Sequence, residues 1–147
     1  MGSEPKSGKR KTAIVTGASS GIGAATVRKL REAILAKGLK TSQTASSWTK
    51  ATNNWNQVCN GGITIGSLAV AESEPALAAE LIVRAVNTVP LSMHEYAPDG
   101  AYPEGPGYWA YGTTYNVMLI SALQSVLGTD FGLTQRPGFL AKIGRAS

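Results

Sequence analysis

The stretch Asp99-Gly100-Ala101-Tyr102-Pro103-Glu104-Gly105-Pro106-Gly107-Tyr108-Trp109 is a loop that ends where a helix begins. Its glycines and prolines confine the backbone to turns, and a proline suits the first turn of a helix, where no N–H is needed. Beyond it, Tyr111, Tyr115, Met118, Leu119, Ala122 and Val126 recur at helical spacing up to a stop at Gly128. The loop therefore delivers Tyr108 to the start of a helix on a rigid lead. A turn so restricted is a costly way to seat one core side chain, which makes Tyr108 the first candidate for chemistry.

Toward the N-terminus the same periodicity predicts further helices. Ser73, Glu74 and Pro75 supply a side-chain cap, an acid in the first turn and a proline at the head of a helix. That helix buries Ala78, Leu81, Ile82, Ala85 and Val86 and closes at Pro90. Before it, Trp55, Val58, Cys59, Ile65 and Ala69 mark one face of a helix that Asn53 or Asn54 caps. Gly61, Gly62 and Gly66 each cost that helix about 1 kcal/mol relative to alanine, which points to close packing or ligand approach. Residues 39–52, rich in Ser, Thr and Lys, read as a junction. Earlier still, Thr12 to Thr16 is a β-prone run ending in the turn Thr16-Gly17-Ala18-Ser19-Ser20-Gly21-Ile22-Gly23. A helix follows from Gly21 to about Lys37, with Ala25, Val27, Leu30, Ala33 and Ile34 as its apolar positions and Gly38 as its stop. Residues 1–11 form a polar, basic leader.

Composition narrows the function classes. With 147 residues, 43% of them hydrophobic, the chain has one domain's worth of core. One cysteine, Cys59, and one histidine, His94, exclude an internal disulfide and any Cys- or His-rich metal centre. His94 reads as a loop residue. No run of about 18 apolar residues is evident and the N-terminus lacks a signal-peptide pattern, so a cytoplasmic chain without a membrane partner is expected. Charge is uneven: residues 1–50 carry ten Lys/Arg against Glu4 and Glu32, a local net charge of +8, while residues 51–147 carry −3. Such a block can steer polyanions, nucleic acid or acidic polysaccharide among them. No aromatic residue precedes Trp48 to stack on bases, so the block reads as a solvated tail and helix surface, with no specific nucleic-acid partner.

From about Trp48 to Leu140 the chain resembles the heparinase II/III-like polysaccharide lyases. The resemblance rests on Asn53-Asn54-Trp55-Asn56-Gln57-Val58-Cys59, the Pro98-Asp99-Gly100 turn and the Tyr102–Trp109 loop. It implies an incomplete α/α-toroid of helical hairpins and β-elimination at a uronic acid in an acidic polysaccharide, without a cofactor or metal. By motif position Tyr108 is the base and acid, and Asn54 neutralises the substrate carboxylate, with Asn56 as second choice for the amide. Tyr111 and Tyr115 are the alternative tyrosines; Asn56, Trp55, Glu104, Trp109 and Tyr111 are the substrate-binding or loop-supporting set. Members are often periplasmic or secreted. The family's toroid, a further histidine, basic residues and a β-sandwich extend beyond the counterpart of Ser147, so a truncated lyase, weak or inactive, is expected.

Residues 11–33 are similar to the opening of the short-chain dehydrogenases. That resemblance implies a Rossmann-like βα unit whose Gly17, Ser19, Ser20, Gly21, Ile22 and Gly23 would meet the pyrophosphate of NAD(P). The family also needs a second strand and a Tyr-x-x-x-Lys pair, whereas residues 39–52 are not strand-like and Tyr111-Gly112-Thr113-Thr114-Tyr115 ends in tyrosine. The expected architecture is thus mainly α, with one N-terminal βα unit: a leader at 1–11, a dehydrogenase-like fragment at 12–38, a junction at 39–52 and lyase-like hairpins at 53–147. Such a chimeric chain has two rival functions, a dinucleotide-binding module and a non-functional fusion or helical binding fragment.

Overall fold

The structure, a computed structural model, describes residues 21–44 and 47–139. Their elements are α1 (Gly21–Leu30), a π-helical turn (Arg31–Leu35), α2 (Ala36–Ser42), α3 (Asn54–Val70), α4 (Pro75–Met93) and α5 (Pro106–Leu127). Single 3-10 turns occur at Trp48–Lys50, His94–Tyr96 and Leu133–Gln135. The chain is mainly helical, with no strand among the described residues. The leader, the Thr12–Thr16 run and Gly17, Ser19 and Ser20 of the glycine turn lie outside them.

Residues 21–42 run on as continuous helix, because Leu30, Leu35 and Ala36 at the junctions all keep right-handed helical backbone angles. Gly38 does not stop it, contrary to expectation. It is buried, and a Cβ there would stand 2.7 Å from Cδ1 of Ile63, so the missing side chain lets α2 close on α3. Val27 and Leu35 turn inward with Leu30 partly covered, while Ala25, Ala33 and Ile34 face out. The stretch after α2 is packed where a junction was expected. The Ser47 and Thr49 hydroxyls bond each other, and the one whose hydrogen stays free donates to the Ser42 carbonyl, which lies 3.1 Å from both. Arg31 Nε pairs with Glu74 at 3.1 Å and ties this segment to the start of α4.

α3 packs against both α4 and α5 and forms a hairpin with α4 across residues 71–74. Asn53 caps it as expected, its Oδ1 accepting from the Trp55 N–H at 3.2 Å. The buried face is not the apolar one. Trp55 and Ala69 are exposed, and Val58, Cys59 and Ile65 only half-buried; Asn56, Gln57, Asn60, Gly61, Thr64 and Ser67 point inward instead. Most of these amides are matched across the helix contacts, which removes the penalty for burying them. Asn56 Nδ2 donates to the Thr88 carbonyl at 3.1 Å, and its Oδ1 accepts from Ser92 Oγ at 3.1 Å and Asn60 Nδ2 at 3.2 Å.

α4 starts at Pro75, but Ser73 does not cap it; Glu74 holds the cap position without a side-chain cap bond. The helix continues through Pro90 to Met93 instead of closing there. Ala78, Leu81, Ile82 and Ala85 are buried as expected and Val86 half-buried. By length and composition alone, Pro75–Tyr96 is long and apolar enough to cross a membrane. Its inner face is used in the fold, where Ala78, Ile82, Val89 and Met93 form a core with Leu119, Ile120 and Leu123 of α5.

α5 begins at Pro106 after Gly105 at φ +88°, and ends at Gly128 in the left-handed region at φ +74°, the stop expected there. The stripe it buries is Gly112, Thr113, Asn116, Leu119, Ile120 and Leu123. Relative to expectation the helix is rotated: only Leu119 of the predicted set is fully inside, and Tyr111, Met118 and Val126 are exposed. After α5 the chain returns Leu133 and Phe139 to the core, the Phe139 ring standing edge-on to Tyr96 at 5.4 Å.

Candidate functional site

The loop before α5 is held by its own backbone and by α3. Asp99 Oδ1 accepts from the Ala101 N–H at 3.0 Å, the Gly100 N–H donates to the Tyr96 carbonyl at 2.6 Å, and Trp109 Nε1 donates to the Gly100 carbonyl at 2.9 Å. Tyr102 anchors the middle: its buried hydroxyl accepts from Gln57 Nε2 at 3.1 Å and donates to the Thr52 carbonyl at 3.4 Å. So fixed, the loop sets Tyr108 in the first turn of α5 with its side chain 54% exposed.

Tyr108 faces a surface cleft of about 310 Å³ lined by Asn54, Trp55, Val58, Cys59, Tyr108 and Tyr111. The first two turns of α3 form one wall and the first two turns of α5 the other. Asn54 is 5% exposed, whereas Trp55 at 62% stands at the lip. Tyr111 packs edge-on against Tyr115 at 5.3 Å, and that neighbour pushes the Tyr111 hydroxyl above the usual tyrosine range, which disfavours it as a base. Burial likewise pushes the Cys59 thiol up, so this cysteine is a half-covered wall group and a weak nucleophile.

Glu104 holds Asn54 from outside the cleft. Its Oε2 accepts from the Asn54 backbone N–H at 2.7 Å and from Asn54 Nδ2 at 2.9 Å. A carboxylate only accepts, so this contact turns the amide's donor end toward Glu104.

Of the residues singled out in the sequence, Asn54, Trp55, Tyr108 and Tyr111 meet at this cleft and Glu104 adjoins it. Two lie elsewhere. Asn56 is fully buried and bonded to Thr88, Ser92 and Asn60, so the structure places it as a core amide away from the cleft. Trp109 packs on the core and lines a separate depression with Gly100, Tyr102 and Pro106, so its position supports the loop. At the N-terminal turn, Gly21 opens α1 at φ +59°, Ile22 is exposed and Gly23 half-buried. No cluster of three or more potential metal ligands occurs among the described residues.

The sequence did not single out Val58 and Cys59 as cleft walls and gave Gln57 no role of its own. Gln57 bridges two tyrosines, since its Oε1 accepts from the Tyr96 hydroxyl at 3.3 Å while its Nε2 serves Tyr102; Tyr96 also meets Thr113 Oγ1 at 2.9 Å. The available signal was the helical recurrence of Asn56, Gln57, Asn60, Thr64 and Ser67, a polar stripe with the same period as an apolar one. No family model matches this chain, and a search of curated proteins returns no match.

Proposed function

We propose that the cleft between α3 and α5 is the uronate-binding wall of a heparinase II/III-like polysaccharide lyase, its helices belonging to an incomplete toroid of helical hairpins. One observation carries this reading: Asn54 and Tyr108, the two residues that the motif positions assign to the chemistry, line the same cleft. β-Elimination removes the proton beside a uronate carboxylate, which is too weakly acidic until that charge is neutralised. A buried amide that donates a hydrogen bond performs this neutralisation without adding a competing base. The tyrosine on the rigid lead, acting as the tyrosinate, then takes the α-proton and, now protonated, returns it to the departing glycosidic oxygen. Neither step calls for a cofactor or metal. With Tyr108 half exposed, water competes for the same hydroxyl, and turnover by this stretch of chain is weak.

The test is the ultraviolet absorbance of an unsaturated uronate product from unsulfated and sulfated acidic polysaccharides. Tyr108→Phe keeps the ring and removes the hydroxyl, so it abolishes any elimination. Tyr111→Phe and Tyr115→Phe retain it, and Asn54→Ala lowers it. Full activity in Tyr108→Phe together with loss in Tyr115→Phe would move the base to the helix stripe and sink this assignment.

A further inference from the structure

Asn54 already holds a carboxylate. Glu104 Oε2 receives two N–H groups of that one residue, at 2.7 Å from the backbone and 2.9 Å from Nδ2. The Asn54 amide is the donor that would receive a uronate in the reading above, on which this inference rests. We propose that Glu104 is a displaceable internal carboxylate, which occupies the Asn54 donors and gives way to the carboxylate of an acidic sugar entering the cleft.

The two partners differ in freedom. Asn54 is buried at the head of a long helix, with its neighbour Asn53 capping that helix, so its donors stay in place. Glu104 is exposed on the loop and can swing its carboxylate into water without opening the core. No ion pair holds it among the described residues, where the salt bridges are Arg31–Glu74 and Arg84–Glu80. Charge then forces an exchange. A second carboxylate cannot share the Asn54 donors with Glu104, because two anions at contact distance repel and no cation among the described residues pairs with Glu104 to offset it. An acidic sugar replaces the bond that Glu104 gives up, whereas a neutral sugar has no group with which to compete for it. Glu104 thus selects for a carboxylate by being one.

Isothermal titration calorimetry of the full chain tests this with an unsulfated glucuronate-containing oligosaccharide and with the same oligosaccharide after reduction of its carboxyl groups. Glu104→Gln preserves shape and an accepting oxygen but removes the charge. It should bind the acidic oligosaccharide about tenfold more tightly than the wild type, with no change for the reduced one. In the wild type, the carboxyl carbon resonance of Glu104 should shift saturably with the acidic oligosaccharide and stay put with the reduced one, a measurement that needs no variant to fold. Equal or weaker binding by Glu104→Gln, or a stationary Glu104 resonance, while the wild type binds and Asn54→Ala does not, overturns the displacement and leaves the lyase reading standing. Failure of the wild type to bind, or binding indifferent to Asn54→Ala, removes that reading and the displacement with it.

Discussion

Gly112 of α5 lies directly against the side chain of Gln57 on α3: a Cβ at position 112 would stand 2.9 Å from Gln57 Cδ and overlap its Oε1. The two helices approach there because the glycine has no side chain, and the amide fills the space with hydrogen bonds to Tyr96 and Tyr102. The tyrosines belong to the 3-10 turn after α4 and to the loop before α5. The Gly112–Gln57 contact therefore sets both the helix spacing and the lead that carries Tyr108.

Gly112→Ala should destabilise the protein by about 2–4 kcal/mol in urea unfolding, since one methyl group both overpacks the contact and breaks the Gln57 bonds. Gly62→Ala is the control. It sits in α3 with open space around its Cβ position and should be neutral or stabilising by up to about 1 kcal/mol. Equal effects at the two sites would mean that the glycine is not required at the helix contact.

Asn54 and Asn56 should separate into a binding and a folding residue. Asn56→Ala removes the partner of buried Ser92 and Asn60 groups and should cost about 2–3 kcal/mol of stability, with little effect on oligosaccharide affinity in the folded fraction. Asn54→Ala should do the reverse, losing affinity for acidic oligosaccharides at a smaller stability cost. Calorimetric binding and thermal unfolding of both variants decide it, and a binding defect confined to Asn56→Ala would reverse the assignment.

Stability should fall at alkaline pH. Burial holds the Tyr96 hydroxyl above its ordinary value of 10.0, partly offset by its bonds to Thr113 and Gln57; burial, aided by the charges of Glu104, Tyr96 and Glu95, pushes Tyr102 up further. A raised pKa in the folded state means that the folded protein keeps protons that the unfolded chain has lost. The resulting stability is whole below about pH 10, the unfolded value, and declines as pH rises from there toward the folded values. Tyrosinate absorbance and circular dichroism followed together should show these two tyrosines ionising with unfolding. Ionisation of all five tyrosines in one step before any loss of helix would contradict the buried network.

Cys59 should report on occupancy of the cleft. Its thiol is half-covered beside Asn54, Tyr108 and Tyr111 and is pushed above the ordinary value by burial, so alkylation by iodoacetamide at neutral pH should be slow. A glucuronate-containing oligosaccharide should slow it further, and the carboxyl-reduced form should not. Rapid labelling unaffected by either sugar would place the ligand elsewhere.

Local chemistry was enough to decide where several helices begin and end. Asn53 caps α3 and Gly105-Pro106 opens α5 because the groups involved lie within a few residues of one another, as do those that let Gly128 close it. Other local signals were overridden. Gly38 and Pro90 sit inside helices because packing of α2 on α3 and of α4 in the core outweighs the local cost of a glycine and of a proline that lacks its N–H and crowds the preceding turn. The faces of α3 and α5 escaped the sequence for a different reason. A hydrophobicity pattern assumes that polar side chains stay in water, whereas Asn56 and Gln57 find partners 32 and 45 residues away that compensate for their burial. Turning those amides inward rotates α3 so that Trp55, Val58 and Cys59 face outward beside Tyr108 and Tyr111. The sequence by itself thus determined a helical chain with a rigid lead to Tyr108. Only the tertiary structure decided that Asn54 shares a cleft with it and bonds to Glu104, because that meeting depends on long-range pairing of buried polar groups, which no local spacing encodes.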